Sequence, residues 1–169
     1  MKKNFWISLL SVIVMIMVMR WQGAALVTPQ TPRGIIDLEF AGTVDRFRSM
    51  RMFIDSNAAM VNLYLDFLFI ISYVWFLSSA AKLAERTGFR LIPSEWPVRI
   101  AFLAGLLDIG ENMLLLDALA AGGTRFTLQL TWWLALIKFT AAGIVVLFLL
   151  LAAIVLLFTR KKITDTFEA

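Results

Sequence analysis

Four long apolar runs, separated by short polar breaks, organise the chain. The first follows Lys2 and Lys3 and is unbroken from Phe5 to Met19. A basic start before an apolar run is also the order of a secretory signal, and Gly23, Ala24 and Ala25 have the small side chains of a cleavage site. Arg20, Trp21 and Gln22 intervene, so the pattern predicts an uncleaved first span over about 4–27. Arg20 then snorkels toward the far interface, with Trp21 beside it. The second run opens at Asp55, Ser56 and Asn57, all good N-cap residues. It predicts a span over about 58–81, with the helix continuing through Lys82, Glu85 and Arg86 to a C-cap at Gly88. Pro93 marks the next loop, and Pro97 fits the first turn of a third helix. That third span covers about 98–121 and is ended by Gly122 and Gly123. Thr124 or Thr127 can cap the fourth, over about 128–158, which Trp132 and Trp133 place at an interface. Arg160, Lys161 and Lys162 close it as a stop-transfer anchor would.

The loop 28–57 has its own pattern. Thr28–Gly34 is broken by two prolines and a glycine, and Ile35–Ala41 mixes apolar and acidic residues before Gly42. From Thr43 to Ile54, Val44, Phe47, Met50 and Ile54 recur at helical spacing among Asp45, Arg46, Arg48 and Ser49. This predicts an amphipathic helix over 43–54, lying on the membrane surface or over the bundle mouth. The expected fold is a single all-α integral membrane domain over 1–169. It has four transmembrane helices in an antiparallel bundle and one short amphipathic helix between spans 1 and 2.

Composition agrees with this pattern. Hydrophobic residues make up 60% of the chain and charged residues only 17%, where soluble domains are about half apolar and a quarter charged. Cysteine and histidine are both absent. That excludes disulfides, thiolate catalysis, His-based triads, His-ligated haem and ordinary zinc sites. Neither a metal nor a cofactor is expected. The net charge of +4 points to loops beside anionic lipid rather than to nucleic acid. With four spans, Lys2, Lys3, Lys82, Arg86, Arg90, Arg99, Arg160, Lys161 and Lys162 share one side. Arg20, Arg33, Arg46, Arg48, Arg51 and Arg125 share the other. The first loop also carries four acids, so both termini are expected in the cytoplasm, in a bacterial inner membrane.

Candidate chemistry lies inside the spans, where ionisable groups are costly. Ala101, Ala104, Gly105, Asp108, Glu111, Asn112 and Leu115 form a stripe at spacings of three and four. Its small residues invite a neighbouring helix, which turns the acids inward. At 1.5 Å per residue, Glu111 lies about 15 Å from the outer end of span 3 and Lys138 roughly 13–14 Å from that of span 4. The two can therefore meet. Asn62, Asp66 and Tyr73 share one face of span 2. The expected polar core is thus Asn62, Asp66, Tyr73, Asp108, Glu111, Asn112 and Lys138, under a lid of Glu39, Phe40, Arg46, Phe47 and Arg51. Three core carboxylates face one ammonium, so protons, a cation, water or an arginine among Arg46, Arg48 and Arg51 must compensate. The function expected from this surplus is binding of a small cationic or amphiphilic ligand, or of lipid. An accessory subunit of a larger membrane complex, with a purely structural polar cluster, is the first alternative. A homo-oligomer is compatible with either reading. An intramembrane lipid-modifying enzyme using carboxylate acid–base chemistry is the second alternative, although no catalytic residue stands out.

Overall fold

The computed structural model describes residues 2–89 and 91–167, with side chains placed as far as Phe158. Arg90 and the side chains of Arg160, Lys161 and Lys162, counted above as basic anchors, lie outside the described residues. The chain is all-helical, with no strand among the described residues. Helix α1 is Lys2–Gly23, followed by a 3₁₀ turn at Ala24–Leu26. Two short helices come next, α2 at Ile35–Glu39 and α3 at Val44–Arg51. Three long ones complete the chain: α4 at Ser56–Arg86, α5 at Glu95–Ala121 and α6 at Arg125–Phe167.

Side-chain caps set several of these starts. Asp55 accepts the Asn57 N–H at 2.8 Å and opens α4. Thr124 accepts the Thr127 N–H at 3.1 Å and opens α6. Thr43 does the same for α3 through the Arg46 N–H, at 3.3 Å. Each satisfies one of the N–H groups that a helix start leaves unpaired.

Three stretches are long and apolar enough to cross a membrane: Lys2–Leu26, Ser56–Arg86 and Arg125–Phe158. This is consistent with an integral membrane protein. Helix α5 has 27 residues, but Asp108, Glu111 and Asp117 interrupt its apolar sequence. The packing is most extensive between α5 and α6, then between α1 and α4, then between α4 and α5. A small polar seam helps α1 onto α4, where Ser11 Oγ donates to Ser72 Oγ at 3.1 Å.

The segment from Leu26 to Ile54 is drawn into the core. Leu26, Leu38, Phe47, Met50 and Ile54 are buried against Ala59 and Leu63 of α4 and Leu115 and Leu119 of α5. Helix α3 presents Phe47 and Met50 inward and leaves Asp45, Arg46 and Arg48 exposed, as its spacing requires. Burying one such apolar side chain contributes about 1.5–3 kcal/mol, enough to hold this short cover on one end of the bundle.

Close approach of α5 to α4 depends on Gly105. A Cβ there would lie 2.7 Å from Val74 Cγ2 and 3.4 Å from Ile70 Cγ2. At Gly110 of the same helix the nearest atom, Leu134 Cδ1, would be 3.7 Å away, an ordinary contact. Gly105→Val should therefore lower the thermal midpoint in detergent, at a cost of about 1–3 kcal/mol from overpacking. Gly110→Ala should be neutral or stabilising by up to about 1 kcal/mol. Equal midpoints for Gly105→Val and wild type would refute the packing argument.

Candidate functional site

The stripe read on the third long helix is its buried face: Ala101, Ala104, Gly105, Asp108, Glu111, Asn112 and Leu115 are all buried. Asp108 and Glu111 are three residues apart, so they point the same way. Lys138 of α6 meets both. Its Nζ donates to Asp108 Oδ1 at 2.6 Å and lies 2.5 Å from Glu111 Oε2. A third carboxylate, Glu39 of α2, is 3.5 Å from the same nitrogen. An ammonium has three N–H donors, and three acids surround this one. Glu111 is fully buried, and the side chains of Lys138, Asp108 and Glu39 are less than a tenth exposed.

Neighbouring polar groups extend the cluster. Tyr73 of α4 donates its hydroxyl to Asp108 Oδ2 at 3.0 Å. Asn112 Nδ2 donates to Asp66 Oδ2 at 2.6 Å. Asn62 lies apart from the ammonium, where its Nδ2 donates to Gln22 Oε1 at 2.5 Å. Gln22 in turn donates to the Ala58 carbonyl at 2.7 Å, tying α1 to the start of α4. Among the buried acceptors in this region, Asn62 Oδ1, Glu111 Oε1 and Asn112 Oδ1 have no hydrogen bond, and Glu39 Oε2 and Glu111 Oε2 have only their ion pairs with Lys138.

The residues read as a lid separate. Glu39 belongs to the ion cluster, and Phe40 packs on it from outside, edge-on to Trp132 at 6.1 Å and stacked on Phe139 at 6.0 Å. Phe47 is fully buried in the core, Arg46 is exposed and Arg51 is half-buried. A compensating arginine from α3 does not materialise. None of Arg46, Arg48 and Arg51 pairs with an acid within 4.0 Å among the described residues. The reason is periodicity: Phe47 and Met50 occupy the inward face. Arg33 is committed to Asp37, to which its guanidinium donates at 2.6 and 2.9 Å. The first loop therefore adds an acid, Glu39, instead of a base. Three carboxylates now share one ammonium, and Asp66 is a fourth acid beside them, bound to Asn112. Burial, the largest influence, holds the Glu39 carboxyl above the usual glutamate range, while Lys138 pulls it back down.

Beside the cluster lies a cavity of about 490 Å³, with walls from α1, the Gly34–Glu39 segment, α4, α5 and α6. Its polar wall is Glu39, Asn62, Asp66, Asp108 and Lys138. Met19, Phe69 and Phe139 give an apolar wall, and Arg20 and Arg33 also line it. Sequence reasoning did not bring Gln22, Arg20 or Arg33 to this site. Among the described residues no group of three or more acids is arranged to hold a metal ion. Comparison with protein-family profiles, with curated proteins and with solved structures gave no match, so the site must be read from its own chemistry.

Two outcomes follow for stability. Lys138→Met strands buried carboxylates and should cost about 3–5 kcal/mol at neutral pH. Adding Glu111→Gln and Asp108→Asn should recover part of that loss in thermal unfolding. No recovery would mean that the acids do not depend on the ammonium. The raised Glu39 group fixes the sign of a pH effect. Its contribution is complete below the ordinary value of 4.5 and is lost as pH rises through the higher folded value. Thermal scans from about pH 4 to pH 8 should thus show Glu39→Gln gaining on wild type as pH rises. A constant difference would contradict the linkage.

Proposed function

We propose that the chain is a four-span membrane protein that binds an ammonium group carried by a small amine or an amine-bearing amphiphile. Helices α1, α4, α5 and α6 are the spans on this reading, with both termini on the cytoplasmic side of a bacterial inner membrane. Contacts between α4 and α5 support an antiparallel course. Asp66 meets Asn112 and Tyr73 meets Asp108, so numbers rise along one helix as they fall along the other. Asp108 and Glu111 are then not a bar to α5 crossing, because they are buried in the bundle interior, and the exposed Asp117 lies four residues from the helix end at Ala121.

One observation carries the ligand class: although Arg20, Arg33 and Lys138 line the cavity with Glu39, Asp66 and Asp108, its wall leaves a buried acceptor without a donor and a carboxylate without an ion pair within 4.0 Å among the described residues. Asn62 Oδ1 is buried without a hydrogen bond, Glu39 Oε2 has only its 3.5 Å ion pair with Lys138, and both residues line the cavity. Asp66, on the same wall, is held only by the neutral amide of Asn112. An ammonium brings three donors and one positive charge, which answers both deficits. Its bonds to carboxylates are charge-assisted and stronger than neutral ones. Met19, Phe69 and Phe139 suit an alkyl portion.

The test uses purified protein in lipid nanodiscs, titrated calorimetrically with dodecylamine and, as a neutral control, dodecanol. Dodecylamine should bind more tightly than dodecanol. Asp66→Asn should weaken the amine at least about tenfold, since a hydrogen bond to a charged group contributes about 1.5–3 kcal/mol, and should leave the alcohol unaffected. Equal affinities for amine and alcohol, or an indifferent Asp66→Asn, would sink the proposal.

A further inference from the structure

A second cavity, of about 690 Å³, runs along the outer side of α4 and α5 and is mostly apolar. Its length is lined by Ile71 and Trp75 of α4 and by Phe102, Leu106 and Ile109 of α5. One end is polar, formed by Asn4 of α1 with Ser78, Ser79 and Lys82 of α4. Ser78 is nine-tenths buried, and its Oγ has no hydrogen-bond partner. No carboxylate lines the groove among the described residues. Hydroxyl, amide and ammonium groups can all donate, and Lys2 and Lys3 directly precede Asn4 and add positive charge. From Lys82 to Ile71 the helix rises about 16–17 Å. That is close to half the hydrocarbon thickness of a bilayer, about 15 Å.

We propose that this groove is a specific site for an anionic phospholipid. The phosphate sits at Asn4, Ser78 and Lys82, and one acyl chain lies along Trp75, Leu106 and Ile109. The charge sets the occupant. A purely apolar face would take any lipid tail or a second helix, whereas this one ends in converging donors and a cation. The apolar track begins where the polar end stops and extends to the depth of the Tyr73–Asp108 bond, so head and tail are bound in register with one leaflet. Nothing in this proposal depends on the cavity beside Lys138, which shares no lining residue with this groove.

Native mass spectrometry of the detergent-solubilised protein tests it, with phosphatidylglycerol and phosphatidylcholine of identical chains as probes. The glycerol lipid should be retained at least tenfold better than the choline lipid. Lys82→Glu, at an exposed position, should abolish that preference. Leu106→Trp, also exposed, keeps every charge but fills the groove, and should lower retention of both lipids at least tenfold. Asp66→Asn should change neither. Equal retention of the two lipids would overturn the proposal. So would a Leu106→Trp variant that still prefers phosphatidylglycerol, because the preference would then be general attraction to a basic surface. A lipid-free dimer broken by Leu106→Trp would also overturn it, by assigning the groove to a second copy of the chain.

Discussion

Lys138 is the constraint on which the rest of the bundle depends. On the proposed four-span reading, a charge at the centre of a span costs at least about 2.5–3.5 kcal/mol, and this region would hold several. They are tolerable only because one nitrogen gathers Asp108, Glu111 and Glu39 at 2.6, 2.5 and 3.5 Å. Those acids come from two different elements, so a single atom ties α2, α5 and α6 together. Tyr73 then extends the tie to α4 through the second oxygen of Asp108. Apolar packing can slide by a turn with little penalty. An ammonium among three carboxylates cannot, because any shift leaves buried charge unpaired. The cluster therefore sets register, and the apolar faces fill in around it.

This explains which parts could be read from the chain and which could not. The buried face of α5 was legible because seven residues from Ala101 to Leu115 follow helical spacing, a local property. The meeting of Glu111 with Lys138 was legible too, because depth along two helices joined by a short loop reduces to counting residues. Asp55 and Thr124 announced helix starts by side-chain chemistry alone. Glu39 was a different matter. It lies in a mixed stretch whose helix is five residues long, too short for any periodicity to assign a face. What carries it inward is the burial of Leu38 and Ala41 against α4, α5 and the start of α6, a long-range event. Gln22 escaped for the same reason, since its partners Asn62 and Ala58 lie 40 and 36 residues away.

The direction of that miss matters. An amphipathic helix rich in arginine invites the idea of a basic group closing an acidic site. In α3 the arginines occupy the outer face, and the loop instead sends in an acid. Charge excess at the centre is therefore larger in the folded molecule than the long helices alone imply. It is also asymmetric across the bundle. The cavity by α1, α4 and α6 carries the cluster's acids Glu39, Asp66 and Asp108 on its wall, together with Arg20, Arg33 and Lys138, while the groove near the chain's start is lined by no carboxylate among the described residues.

Asp66 separates the structural from the functional part of the cluster. Lys138 already has three carboxylates for its three donors, so a fourth acid adds nothing to that cage. Asp66 is half-buried, lines the cavity and is held by an amide that could equally be matched by an asparagine or glutamine at the same position. Its negative charge is thus a burden on the folded protein, since among the described residues no cation pairs with it within 4.0 Å and Arg20, Arg33 and Lys138 share only its cavity. Selection for stability alone would favour the neutral amide. A carboxylate kept at the edge of a cavity, next to a saturated ammonium, is the group that the proposed ammonium ligand would pair with. On that proposal Glu111 and Asp108 would build the site and Asp66 would contact what enters it.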